Sequence, residues 1–154
     1  MWFFEWLEGS ALAVAIRQTT WLMPLFNTIH ALGMTLLIGS ILFVSLRLLG
    51  VSMAQRPVWQ IAGEARRWTI AGLLTMVTTG LLLFIPESLR WYGSGPFRVK
   101  MTCLLVAVVF HFTLFRKVTS GDKADPTLCR ITGTLALILW FGVGWGGRAI
   151  TFLE

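Results

Sequence analysis

Charge is scarce in this sequence: Asp, Glu, Lys and Arg make up 13% of its 154 residues, against about 25% in an ordinary soluble domain. With 56% of the chain hydrophobic, a water-exposed surface cannot be assembled from so few ionic groups. Acids are scarcer still, and Glu5, Glu8, Glu87 and Glu154 are terminal or lie beside apolar runs, so no carboxylate pair sits inside one. No nucleophile stands with a base, and no glycine loop has the spacing that cradles phosphate. Cysteine is limited to Cys103 and Cys129. They are expected near opposite ends of their helices, and a disulfide needs Cα atoms within about 7 Å. Alternation of apolar and polar residues, the mark of a barrel strand, is also missing.

What the chain does contain is four apolar stretches between clusters of charge, at about 21–46, 68–85, 97–115 and 131–149. Each is near the ~20 residues a helix needs to cross ~30 Å of hydrocarbon. Backbone in lipid must satisfy its own hydrogen bonds, which leaves helices. The expected fold is all-α: an integral membrane four-helix bundle, up-and-down, forming one domain over 1–154. Residues 2–16 combine Trp2, Phe3, Trp6 and Leu7 with Glu5 and Glu8, which predicts a short interfacial helix that Gly9 and Ser10 break or recap.

A net charge of +6 would suit nucleic acid, but the basic residues sit at span ends and in short loops, so they are read as topology signals and no nucleic-acid partner is expected. Arg47, Arg56, Arg66, Arg67, Arg116, Lys117, Lys123 and Arg130 fall on one side, and Arg17, Arg90, Arg98, Lys100 and Arg148 on the other. The richer side is assigned to the cytoplasm. Both termini are then periplasmic in a bacterial inner (plasma) membrane, with helix one directing insertion because the start has no basic leader. Trp2, Trp6, Trp21, Trp91, Trp145 and Tyr92 lie near the outer boundary, as an aromatic belt would. Gly142 and Gly146, four apart, would allow close approach of a helix or a flat ligand.

The two histidines, His30 and His111, both fall inside apolar spans. Ionisable side chains at membrane depth are costly and are by default candidates for function. Neutral imidazole ligates iron or copper, and facing helices of a bundle can supply axial ligands to a haem. His30 shares its face with Gly33 and Met34, a small residue leaving room for a macrocycle and a thioether that, like Met76 and Met101, could be a second ligand. Arg17, Arg98 and Arg148 near the outer interface would serve haem propionates or, equally, lipid headgroups. Against ligation stands a plain interhelical hydrogen bond from each ring, or a proton or quinone role.

Depth leaves two possibilities open. His30 is thirteen residues after Arg17 and His111 thirteen after Arg98, which puts both about 20 Å below the outer cations. Counted from the other side, they precede Arg47 and Arg116 by seventeen and five residues. Either helix one projects into the cytoplasm, or the rings are offset by as much as ~18 Å and do not share one iron.

The pattern Trp21…His30-Ala31-Leu32-Gly33-Met34…Gly39…Arg47-Leu48-Leu49-Gly50, with the closing Gly146-Gly147-Arg148-Ala149-Ile150, resembles a family of uncharacterised bacterial inner-membrane proteins of about this length. Its first helix also resembles that of HemJ-type protoporphyrinogen oxidases and CopD-type copper proteins, where a helix-embedded His followed by Gly recurs. That resemblance implies haem or metal near His30. The chain has neither the several His of a two-haem cytochrome b nor a Cys-x-x-Cys-His for covalent haem.

The expectation is therefore a haem b-binding membrane protein, cytochrome b-like, with His30 and His111 as metal ligands, Gly33, Met34, Arg17, Arg98 and Arg148 around the cofactor, and no catalytic residue of its own. It would act as an electron-transfer or haem-handling subunit with a quinone or redox partner. The alternatives are a cofactor-free accessory or scaffold subunit, and a copper or small-solute protein. Its partners are the lipid bilayer and either copies of itself or a larger membrane complex.

Overall fold

The computed structural model of the chain describes residues 2–53, 55–121 and 125–153, the side chains from 147 onward excepted. The described residues form helices and no strand: α1 (Trp2–Glu8), α2 (Ala11–Gln18), α3 (Leu22–Leu48), α4 (Val58–Phe84), a 3-10 turn (Ile85–Glu87), α5 (Ser88–Gly93), α6 (Gly95–Phe110), a π-helical segment (His111–Phe115), α7 (Arg116–Ser120) and α8 (Pro126–Leu153). Four stretches, Leu22–Leu48, Val58–Gly93, Gly95–Ser120 and Pro126–Gly146, are long and apolar enough to cross a membrane. They pack together as the four-helix bundle the apolar runs predict.

The helices outrun those apolar runs. α3 and α4 have 27 residues each, about 40 Å at the rise of an α-helix, because hydropathy marks only the stretch matched to hydrocarbon while the helix continues through the interface. The second span thus begins at Val58 rather than 68, and α8 begins at Pro126 rather than 131. Arg66, Arg67 and Arg130 consequently stand on helices, not in loops. The amino-terminal segment expected over 2–16 forms two helices, broken at Gly9 and Ser10 as those residues predict, and the Ser10 side chain accepts from Ala13 N–H at 3.2 Å to cap α2.

Helix ends follow ordinary backbone chemistry. α3 stops at Gly50, whose φ of +76° allows Gly50 N–H to reach Arg47 O at 3.1 Å and Val51 N–H to reach Leu46 O at 3.0 Å, a Schellman ending. Pro57 precedes α4, Pro96 sits in the first turn of α6 and Pro126 opens α8, positions where a missing donor costs nothing. Inside the spans, Thr28 and Thr35 donate to the carbonyls of Pro24 and Ala31, both at 2.9 Å. Their hydroxyls are thereby satisfied without water.

α3 is the hub. It packs along α4 on one side and α8 on the other, α8 packs on α6, and α4 and α6 barely touch. The α3–α4 contact is close because two glycines permit it: a Cβ at Gly33 would lie 2.9 Å from Thr75 Cγ2, and one at Gly72 would lie 2.7 Å from Leu37 N and 2.9 Å from Gly33 O. At one end α7 bridges to α4. At the other, α1 and α2 lie across the bundle: Ser88 Oγ donates to Phe4 O at 3.2 Å, Leu89 N–H to Glu8 Oε1 at 2.9 Å, and Arg17 to Pro86 O at 3.3 Å and Glu8 O at 2.5 Å. Phe4 against Tyr92 (4.6 Å between ring centres) and Phe84 against Phe97 (5.3 Å) fill the same end.

Gly142 and Gly146 have nothing within 4 Å of a Cβ position, so within this chain their close-approach face stays open. On α8 it is Gly133 and Gly144 that meet α3, a Cβ at the first lying 3.1 Å from Ser45 O and at the second 3.1 Å from Ile38 Cδ1. Cys103 and Cys129 are not joined in a disulfide.

The atoms facing Gly72 are backbone and cannot rotate away. Gly72→Ala should therefore push α3 from α4 and lower stability by ~1–3 kcal/mol, read as a fall in the thermal midpoint in detergent. Gly63→Ala, where nothing lies within 4 Å, should leave it unchanged or raised. Equal midpoints for the two variants would show that the seam is not tight.

Candidate functional site

His30 leaves α3 toward α4. Its Nδ1 is 2.9 Å from Thr79 Oγ1, and its Cε1 lies 3.4 Å from where a Cβ of Gly80 would be, so the absent side chain gives the ring its place. Thr79 Oγ1 donates its one proton to Thr75 O at 2.6 Å. The hydroxyl must then accept from the imidazole, which assigns the proton to Nδ1 and the lone pair to Nε2. The carbonyl of Met76, 3.4 Å from the same hydroxyl, adds a second acceptor on this edge. No hydrogen bond to Nε2 forms among the described residues.

Across the gap left between α4 and α6, Lys100 reaches inward, half-buried and within electrostatic reach of His30. The described residues form two ion pairs, Arg56–Glu64 at 2.6 Å and Arg90–Glu87 at 3.3 Å; Lys100 is in neither. An ammonium at membrane depth with no carboxylate beside it is costly and by default a candidate for function.

The two histidines lie at different levels. His30 is level with Thr79 and Gly80, whereas His111 lines a cleft with Thr69 and Ile70. Ten residues of α4 separate the levels, about 15 Å of rise. The count from the outer arginines fails because Arg17 belongs to α2, and the chain between it and His30 breaks at Thr19–Trp21. His111 stacks on Phe115 at 4.9 Å and meets Trp140 edge-on at 6.2 Å. Its Nδ1 is buried with no partner among the described residues, as is Trp140 Nε1.

The remaining sequence-derived positions disperse. The space beside Gly33 is taken by Thr75, so it seats a helix and leaves no room for a macrocycle there. Met34 packs toward α8, its Sδ 3.8 Å from the Cβ position of Gly144. Met76 is in the core, and Met101 is exposed. Arg17 spends its guanidinium on Glu8 O and Pro86 O, Arg98 is exposed, and the side chain of Arg148 lies outside the described residues. Thr79 and Gly80 escape a sequence reading, because nothing local marks them as partners of a ring forty-nine residues away. Lys100 is legible as an outer cation but not as an inward one. No three His, Cys, Asp or Glu converge among the described residues.

The four spans define a multi-pass membrane protein. The chain belongs to a family of unknown function (DUF6644), which matches residues 3–153. No curated protein and no solved structure matches it.

Thr79→Val removes the acceptor for Nδ1 and should cost ~1–3 kcal/mol, while Thr79→Ser retains it. Thermal unfolding of both in one detergent checks this, and equal midpoints would exclude the bond.

Proposed function

We propose that this protein binds haem b through His30 and acts as an electron-transfer or haem-handling subunit. The observation that supports the reading is that His30, held through Nδ1 by Thr79, has the half-buried Lys100 within electrostatic reach. A haem needs an axial nitrogen lone pair and cations for its propionates, and here the imidazole keeps its lone pair on Nε2 while the ammonium has no protein carboxylate. Thr79 fixes the ring and its tautomer, the usual outer-shell support of a ligating His. Bound haem would supply one-electron iron chemistry. A porphyrin brings its own equatorial nitrogens, so haem fits a site without three converging donors better than bare copper does.

In this reading His30 is the iron ligand and Lys100 the propionate partner, while His111, about 15 Å away along the bundle, belongs to a different site. Similarity of the first helix to HemJ-type and CopD-type proteins points the same way. The surplus of Lys and Arg beside the loops 49–57 and 121–125 supports a cytoplasmic position for them, with periplasmic termini in a bacterial inner membrane. His30 is then in the periplasmic half, and quinone or a periplasmic carrier is the natural redox partner.

One observation favours the second reading, an accessory subunit. The third span is 6% buried in its most apolar window, against 28% for the first, so α6 offers the most uncovered surface to another protein or a second copy.

Protein purified from membranes in mild detergent should show a Soret band that sharpens on dithionite. His30→Ala should abolish it, Lys100→Met should weaken haem retention about tenfold, and His111→Ala should keep it. A colourless protein that takes up no added haemin would end the haem reading in favour of the accessory one.

A further inference from the structure

A cleft of about 300 Å³ lies between α4 and the wall formed by the π-helical segment and α7. Its walls are apolar, with Val44 from the α3 floor, Ile70 from α4, and Phe112 and Phe115 from the π-helical segment. At its polar end stand Arg66 and Arg116 on the two facing helices, with Trp59 beside them. Both guanidiniums are exposed, and neither enters the ion pairs of the described residues. His111, whose buried Nδ1 lacks a partner, also lines the cleft.

These features are graded in one direction: Arg66 and Arg116 stand toward the α7 end, and Ile70 and Phe112 lie one turn deeper on the same two walls. A ligand matching that order has an anionic head and an apolar tail. We infer that the cleft binds one anionic phospholipid, its phosphate between Arg66 and Arg116 and an acyl chain against Ile70 and Phe112. Two guanidiniums on separate helices select negative charge and can chelate one phosphate between them. The apolar walls open on the bilayer side of a protein already embedded in lipid, which favours a lipid over free phosphate. The π-helical segment, a turn wider than an α-helix, brings three of the lining side chains to this wall: His111, Phe112 and Phe115. A bound headgroup would also bridge α4 to the α6–α7 end, the one junction along these two helices where the bundle already closes.

This site is independent of His30, and its test leaves the haem spectrum aside. Native mass spectrometry and thermal unfolding of the full chain in a neutral maltoside detergent should show one phosphatidylglycerol retained per chain, preferred at least tenfold over phosphatidylcholine. The double variant Arg66→Gln/Arg116→Gln should lose that preference while its circular dichroism stays helical, and Arg90→Gln, at the opposite end, should keep it. Ile70→Trp, which narrows the cleft without changing charge, should weaken phosphatidylglycerol binding as well. Equal retention of the two lipids, an unaffected double variant, an unaffected Ile70→Trp, or an equal loss in Arg90→Gln would overturn the assignment. Displacement of the lipid by millimolar inorganic phosphate would also overturn it, reducing the site to a free-anion site.

Discussion

The close contact of α3 with α4 at Gly33 and Gly72 is the constraint from which the remaining architecture follows. Between transmembrane helices there is no hydrophobic drive, so association rests on van der Waals contact and a few hydrogen bonds, both of which require backbones to come near. Where side chains are missing on the seam, the helices meet almost at backbone distance. That proximity brings Ser40 Oγ to 2.9 Å from Thr69 Oγ1 and His30 Nδ1 to 2.9 Å from Thr79 Oγ1. The polar pairs are thus a product of the seam, and they lock its register.

The same contact decides what stays open. α3 is pulled against α4 and also packs on α8, and α6 reaches the bundle chiefly through α8. A four-helix ring with three tight sides has one loose side. His30 and Lys100 occupy one level of this opening, and His111, Arg66 and Arg116 another. Depth separates the two histidines, which is one of the two arrangements that the residue counts leave open.

Much of the fold is legible in the sequence because lipid restricts the options. Apolar runs of sufficient length become helices, and the four runs became four packed spans. Helix ends were less legible, since hydropathy falls at the interface while the backbone hydrogen bonds of Val58–Trp68 or Pro126–Ile131 continue. Of the site, the imidazoles were visible by rarity, but their surroundings were not. Gly33 reads as room beside His30, yet Thr75 fills that room from another helix. Arg17 reads as a partner for propionates or headgroups, and in the fold its guanidinium also holds the amino-terminal segment to Pro86 O. Both contacts come from a second element, which the face of a single helix does not show. The π-helical segment over His111–Phe115 carries no local signature in His-Phe-Thr-Leu-Phe.

The amino-terminal helices laid over the ends of α4, α5 and α6 have a further implication for traffic. With Phe4, Phe84, Tyr92 and Phe97 packed at that end and Arg17 tying the segment down, a molecule bound for the gap beneath meets a plug from the aqueous side and an unsealed flank from the bilayer side. For a ligand of the proposed kind, arrival would then be governed by partitioning and two-dimensional diffusion. The quantity setting its occupancy would be mole fraction in the membrane, not concentration in water.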